Sequence, residues 1–274
     1  MECKRLLEML ESHSERDKLL RFLCYTSQLI GGVTKQNKYS KFSHQLSECR
    51  TTLRLLDDVP MLMYSLSYGL GKKEPDTYMQ VCGVIVNILD QLYYPLEHVA
   101  WAADKGILSQ NSEKWWLASN VCWALSLYFN IARSLRYLHL LNSDPIHVHN
   151  ESVLRKKGTP DIMKKTLRLQ LAELIAVVCY ICDFINAIHW MPEGFLWGGR
   201  LKQWQIGALV TSDLRGLLFL ELDTAGPMRE HRGCPSEGGG EGNCLLIIFG
   251  LLLVIKLMTV RALFQNFFPR GILR

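Results

Sequence analysis

The chain is poor in the patterns that organise chemistry. In its 274 residues there is no glycine-rich phosphate loop, no zinc-finger spacing and no nucleophile in a recognisable turn. No run of alternating apolar and polar residues marks a sheet. These absences argue against an enzyme, a metal centre and a cofactor. Net charge is also small: the formal value is +5 and the pI is 8.7. That suits a surface touching anionic lipid and is too weak for nucleic acid, for which no aromatic-rich basic sheet signature is present either. The N-terminus, MECKRLLEMLESHSER, reads as no signal peptide. With nine cysteines, an odd number, the expectation is a reducing compartment and buried thiols. Cys179 and Cys182 have CxxC spacing, but they sit in an apolar helix with no second pair, which favours packing over redox or metal chemistry. Asn150-Glu151-Ser152 is a glycosylation sequon that carries no weight without secretion. The hydrophobic share of 49% and the mean hydropathy of +0.06 separate soluble from membrane-bound poorly.

What is present is helix almost throughout, so the expected fold is all-α, a membrane-associated protein with N-terminal amphipathic helices and one or two transmembrane helices. Ser14-Glu15-Arg16-Asp17 resembles a weak capping box opening a helix that Gly31-Gly32 should stop. A second helix is expected from about Tyr39 to Leu56. Phe42, Leu46, Cys49, Leu53 and Leu56 recur at four-three spacing on one face, with Lys41, Arg50 and Arg54 among the polar residues opposite. Such a helix either packs its apolar face into a core or lies in a lipid surface, and both readings stay open. Asp57, Asp58 and Pro60 interrupt it, a further apolar stretch begins at Met61, and residues 69–77 read as a loop.

The stretch 90–108, DQLYYPLEHVAWAADKGIL, gathers carboxylates, a histidine and aromatics. Pro95 should break or kink it. On a helical wheel Leu92, Leu96, Val99 and Ala103 share one face, while Asp90, Tyr94, Glu97, Trp101 and Asp104 line another, read as the outer one. No spacing places two metal ligands together, so the stretch is expected to be structural. Trp115 to Ala132 is uncharged over eighteen residues and flanked by Lys114 and Arg133, long enough for a span. Residues 133–165 are polar and basic. A long helix then carries the seam Leu167, Leu171, Leu174, Val178, Ile181, Ile185 and Ile188, a helix–helix contact within the chain or between copies. Glu173 and Asp183 lie off that seam and argue against exposure to lipid. Three regions follow: a helical region 1–210, a Gly-rich linker 211–244, and an apolar segment 245–274 that includes Leu245 to Ile255, a possible membrane anchor.

Several blocks carry a family resemblance: ERDKLLRFLCYTSQLIGG (15–32), QLSECRTTLRLLDD (45–58), DQLYYPLEHVAWAADKGIL (90–108), WWLASNVCWALSL (115–127), ARSL (132–135) and AIHWMPEGFLWGGRL (187–201). Together they resemble the peroxisomal membrane protein 11 family, in its gamma-type pattern, over about three quarters of the chain. The resemblance implies a peroxisomal membrane protein, N-terminus cytosolic, that promotes peroxisome elongation, proliferation and fission. It implies membrane insertion of the helix over residues 41–56, with Phe42, Leu46, Cys49, Leu53 and Leu56 in the leaflet and Lys41, Arg50 and Arg54 toward anionic lipid. The implied partners are anionic membrane lipids, the protein itself and sister isoforms, a fission adaptor, a dynamin-like GTPase and a peroxisomal membrane-protein import receptor, with no nucleic acid. From about residue 211 the chain departs from the family pattern. The alternative function is a channel for small metabolites, with Asn120, Asn130, Glu173 and Asp183 lining a path.

Overall fold

The computed structural model describes residues 13–143 and 159–210, and every described element is a helix. In chain order these are α1 (His13–Thr34), α2 (Asn37–Arg54), α3 (Asp58–Tyr68), α4 (Thr77–Asp104), α5 (Ser112–Ser143), α6 (Thr159–His189) and α7 (Gln203–Val210). The chain divides into two compact units, Met1–Arg50 with Lys202–Arg274, and Thr51–Leu201. Among the described residues the first unit holds α1, most of α2 and α7; the second holds α3 to α6. The expected linker 211–244 and the apolar segment with Leu245 to Ile255 lie outside the described residues.

In the first unit, Gly31-Gly32 do not stop α1 as expected. The helix runs through them to Thr34, whose hydroxyl donates to the Ile30 carbonyl at 2.7 Å. The glycines serve packing instead. A Cβ on Gly32 would lie 2.6 Å from the Trp204 backbone nitrogen, and one on Gly207 would lie 2.6 Å from that of Leu29. Two glycines, one on each helix, therefore let α1 and α7 approach backbone to backbone, as small residues do at tight helix crossings. α7 is thoroughly buried: Gln205 through Val210 all lie inside. Between α1 and α2, the Cys24 thiol donates to the Ser43 carbonyl at 3.3 Å. The Arg50 guanidinium grips Asp17 through two bonds of 2.9 and 3.2 Å.

In the second unit, α4 and α5 lie along one another, and α6 packs on α5. Pro95 neither breaks nor ends α4, which is continuous over 28 residues. Buried contacts hold the helix on both sides of the proline, at Asn87 before it and at Glu97 and Ala100 after it, so one lost backbone bond does not interrupt it. The α5–α6 contact is built from Ala124, Leu127, Ala187, Ile188 and Met191, with Trp123, Phe184 and Trp197 packed around them. The Asn120 amide donates to the Ala187 carbonyl across this contact at 2.9 Å. After α6 the chain turns back on itself: the Gly199 nitrogen donates to the His189 carbonyl at 2.9 Å, and the Trp197 indole to that of Ile185 at 2.9 Å. These bonds satisfy carbonyls that a helix end leaves unpaired.

The Gly207 approach makes a direct prediction. Gly207→Val forces a side chain against the backbone of α1, which cannot yield as a flexible side chain would. The expected cost is about 1–3 kcal/mol, read as a lower thermal midpoint in detergent. An unchanged midpoint would show that α1 and α7 do not meet at this distance.

Candidate membrane-contact surface

The second unit buries polar side chains beside an apolar core that includes Leu127, Ile175, Ile188 and Met191, and it also exposes large apolar side chains. Its inward positions include Asn87, Glu97, Ser119, Ser126, Ser134, Asp183 and Asn186, all buried. Its outward positions carry large apolar side chains at helical spacing: Val81, Ile88 and Leu92 on α4, Val121, Leu125 and Tyr128 on α5, and Leu167, Leu171 and Leu174 on α6. A water-soluble bundle turns apolar stripes of this kind inward. The same arrangement corrects the face assignment for residues 90–108. Glu97 is 1% exposed and Leu92 is 52% exposed, so the middle of the carboxylate face points in and Leu92 points out, while Asp104 at the helix end remains exposed.

The inward carboxylates Glu97 and Asp90 are hydrogen-bonded. Glu97 receives the Arg54 guanidinium, with Nε at 3.2 Å from Oε2 and a second bond from the terminal nitrogen to Oε1. The Tyr93 hydroxyl also donates to Glu97, at 2.8 Å. Asp90 accepts from the Ser126 hydroxyl at 2.6 Å, joining α4 to α5. Burial raises the Asp90 carboxyl above its ordinary 3.8, and the Ser126 bond opposes only part of that rise. Burial also drives the Tyr93 hydroxyl up, and burial together with Asp57, Asp90 and Glu97 pushes Tyr94 up to about 12. Two further pairs fix the loop after α3 to α5, Glu74 with Arg133 at 2.6 Å and Asp76 with Arg136 at 2.7 Å. His98 does not stand alone: its Nδ1 lies 3.2 Å from Asp58.

The expected membrane helix coincides with α2. Phe42, Cys49 and Leu56 are exposed, Leu46 and Leu53 half-buried, and Lys41 is exposed. Arg50 is buried against Asp17, and Arg54 is held by Glu97. Two of the three cations expected to face headgroups are thus bound to carboxylates in this conformation. Along α6 the seam divides. Leu167, Leu171 and Leu174 are exposed, Val178, Ile181 and Ile185 half-buried, and Ile188 buried. The inward face of α6 is a different stripe, Ile175, Cys179, Cys182 and Asn186, again at four-three spacing. Both cysteines of the CxxC are buried, and neither forms a disulfide.

Among the described residues, the helix long and apolar enough to cross a membrane is Thr166–His189, of mean hydropathy 2.0. This differs from expectation twice. Trp115–Ala132 does not reach that hydropathy, because Ser119, Asn120, Ser126 and Asn130 dilute it. Asp183, read as an obstacle to lipid exposure of α6, is buried among the helices and does not meet lipid at all. Glu173 shares a hydrogen bond with Ser134 of α5. Exposed Trp190 stands at the end of α6, where an amphipathic ring suits an interface.

The sequence reading also missed a stripe on α3. Val59, Leu62, Met63, Leu66 and, just beyond the helix, Leu70 are all exposed, and α3 buries no residue. The available signal was spacing of three and four beginning just before Pro60.

The described residues form an all-α protein with one candidate membrane-spanning helix and exposed apolar side chains on several helices. Comparison with known sequences narrows this. The pattern described as Peroxisomal biogenesis factor 11 (PEX11) matches residues 3–214. The chain is 39% identical over 216 residues to Peroxisomal membrane protein 11C of Homo sapiens, covering 75% of this chain and 88% of that one. It is 36% identical over 217 residues to Peroxisomal membrane protein 11C of Mus musculus, covering 76% and 89%. Similarity to Peroxisomal membrane protein PMP27 of Saccharomyces cerevisiae is 24% over 138 residues, 48% of this chain and 57% of the other. No solved structure matches. The chain belongs to the PEX11 family. Among the described residues no group of three or more His, Cys, Asp or Glu is placed to hold a metal ion.

Two measurements test the inward charges. Glu97→Ala leaves the half-buried Arg54 without its carboxylate, for an expected loss of about 3 kcal/mol. That is the low end for a broken buried pair, because a quarter of the Arg54 side chain remains exposed. Asp90→Asn should act oppositely. A carboxyl whose folded-state pKa is raised imposes no ionisation penalty below about 3.8, and the penalty grows as pH rises through the folded-state value. Asparagine still accepts from Ser126, so the variant should gain more thermal stability at pH 7.5 than at pH 4.5. An equal change at both values would place Asp90 in water.

Proposed function

We propose that this protein remodels the peroxisomal membrane, promoting elongation, proliferation and fission of the organelle, as a gamma-type member of its family. The observation that carries the reading is the family match over residues 3–214. The exposed Phe42 and Leu56 of the α2 segment support it physically. Insertion of Phe42, Leu46, Cys49, Leu53 and Leu56 into the cytosolic leaflet adds area to one side of the bilayer and bends it. Five apolar side chains at about 1.5–3 kcal/mol each suffice for reversible binding before ordering costs. Lys41 is ready for an anionic headgroup. Arg50 and Arg54 would exchange Asp17 and Glu97 for phosphates.

The outward part of the α6 seam, Leu167, Leu171 and Leu174, serves contact with other copies or with sister isoforms within the bilayer. Trp115–Ala132 within α5 is the proposed second span, and the segment after residue 244 a further anchor. The N-terminus faces the cytosol, where a fission adaptor and a dynamin-like GTPase would meet it. A membrane-protein import receptor would deliver the chain.

A channel for small metabolites is the second reading. It needs Asn120, Asn130, Glu173 and Asp183 facing a path. Asn120 donates to Ala187, Asn130 to Ser126, and Glu173 bonds Ser134. Asn120 and Glu173 are occupied in joining helices and Asn130 bonds within its own helix, which favours remodelling over conduction.

Replacing Leu46 and Leu53 together by Glu should abolish vesicle binding by the N-terminal region and organelle elongation in cells. Full elongation by this variant would remove α2 from the mechanism.

A further inference from the structure

The first unit holds an open cavity of about 450 Å³ where the turn between α1 and α2 meets the start of α7. That is the size of a small-ligand pocket. Lys35 and Lys202 bring two ammonium groups to it, and Asn37, Ser40 and Gln203 bring amides and a hydroxyl. Among the described residues the lining contains no Asp or Glu, neither lysine forms an ion pair, and Trp204 is the one large apolar side chain.

The backbone adds to this positive charge. α2 begins at Asn37 and α7 at Gln203, and neither has an acidic residue in its first turn. Each helix start carries about half a positive charge on its N–H groups. The end of α1 opposes them with about half a negative charge, far less than two lysines supply. The Gln203 amide donates to the Ser40 hydroxyl at 2.7 Å, which ties α7 to α2 and leaves the hydroxyl proton free to donate. The Lys202 N–H is already taken by the Gln205 side chain at 2.7 Å, so this residue offers the cavity its ammonium. Lys35 has a φ of 55°, in the left-handed region that favours glycine. A glycine there would end α1 without strain, whereas the lysine brings a cation to the cavity.

We propose that this cavity binds a small water-soluble phosphomonoester. The phosphate lies between the Lys35 and Lys202 ammoniums, and its polar remainder meets Asn37, Gln203 and the Trp204 ring. Two cations match a phosphate dianion, and lysine binds phosphate as a point charge. The cavity exceeds a bare phosphate and has room for the group attached to it. A lipid headgroup carries the same phosphate, but the lining offers no aliphatic surface to an acyl chain. The site does not rest on membrane remodelling or on insertion of α2.

The test uses the full-length chain in neutral detergent, labelled with 5-fluorotryptophan, with the Trp204 fluorine signal assigned by its loss in Trp204→Phe. Glycerol 3-phosphate should shift that signal saturably, and glycerol should not. Lys35→Gly with Lys202→Met should weaken binding at least tenfold. Lys35→Gly alone should weaken it while keeping or raising the thermal midpoint, which separates lost binding from lost folding. Lys72→Met with Lys73→Met removes the same charge from exposed positions of the other unit and should leave binding unchanged. Equal weakening by the two double variants would reduce the site to general positive charge and overturn the proposal. A shift by phosphatidic acid in nanodiscs, with none by glycerol 3-phosphate, would move the phosphate to a lipid headgroup and overturn the soluble ligand. No saturable shift with either probe would overturn the site itself.

Discussion

The interior charge at Glu97 is the constraint on which the second unit depends. A carboxylate that is 1% exposed cannot stay ionised without partners, and Arg54 and Tyr93 supply three hydrogen bonds. Satisfying it requires the end of α2 to lie beside α4. Arg54 therefore ends the helix proposed to insert in lipid and also closes the interior. Asp90 with Ser126 and Glu74 with Arg133 repeat the device along α5. Polar contacts join the helices alongside the apolar α5–α6 core, and further aliphatic residues face outward.

Bonds of this kind suit a protein in a bilayer. Lipid tails give helices little hydrophobic reason to associate, so close packing of small residues and interhelical hydrogen bonds bind them. Both occur here. Ser119, Ser126, Ala124 and Ala187 line helix contacts in the second unit, and Gly32 and Gly207 do so in the first. Leu167, Leu171 and Leu174 of α6 gain little in lipid by turning inward, whereas Asp183 leaves the hydrocarbon by doing so.

The sequence read helix class and spacing well and sidedness poorly, for a physical reason. Four-three spacing shows that residues share a face without saying what that face meets. In water the answer is the core; in lipid it is often the outside. Assuming the aqueous rule put Asp90 and Glu97 on the outer face, whereas Glu97 is buried, and made Asp183 an argument against lipid exposure of α6, although Asp183 itself lies inside. Local breakers misled in the same way. Gly31-Gly32 and Pro95 are stop signals in isolation, but packing outweighs them: Trp204 needs the space over Gly32, and buried contacts bracket Pro95. The α2 segment was legible because its apolar spacing and its end at Asp57 are both local. The partners of Arg50 and Arg54 were not, since each lies more than thirty residues away.

The block 90–108 shows how a polar cluster becomes structural. Carboxylates, tyrosines and a histidine this dense resemble catalytic machinery, yet a catalytic group must reach a substrate. Glu97 is enclosed by Arg54 and Tyr93, Asp90 is bonded to Ser126, and His98 faces Asp58. Their unusual density follows from position: α4 touches the end of α2, the start of α3 and the length of α5, and each contact needs its own polar partner. A helix with three neighbours, joined to them by hydrogen bonds, must carry donors and acceptors on several sides. The residues that look most like an active site are those that a bundle with apolar outer faces requires to hold together.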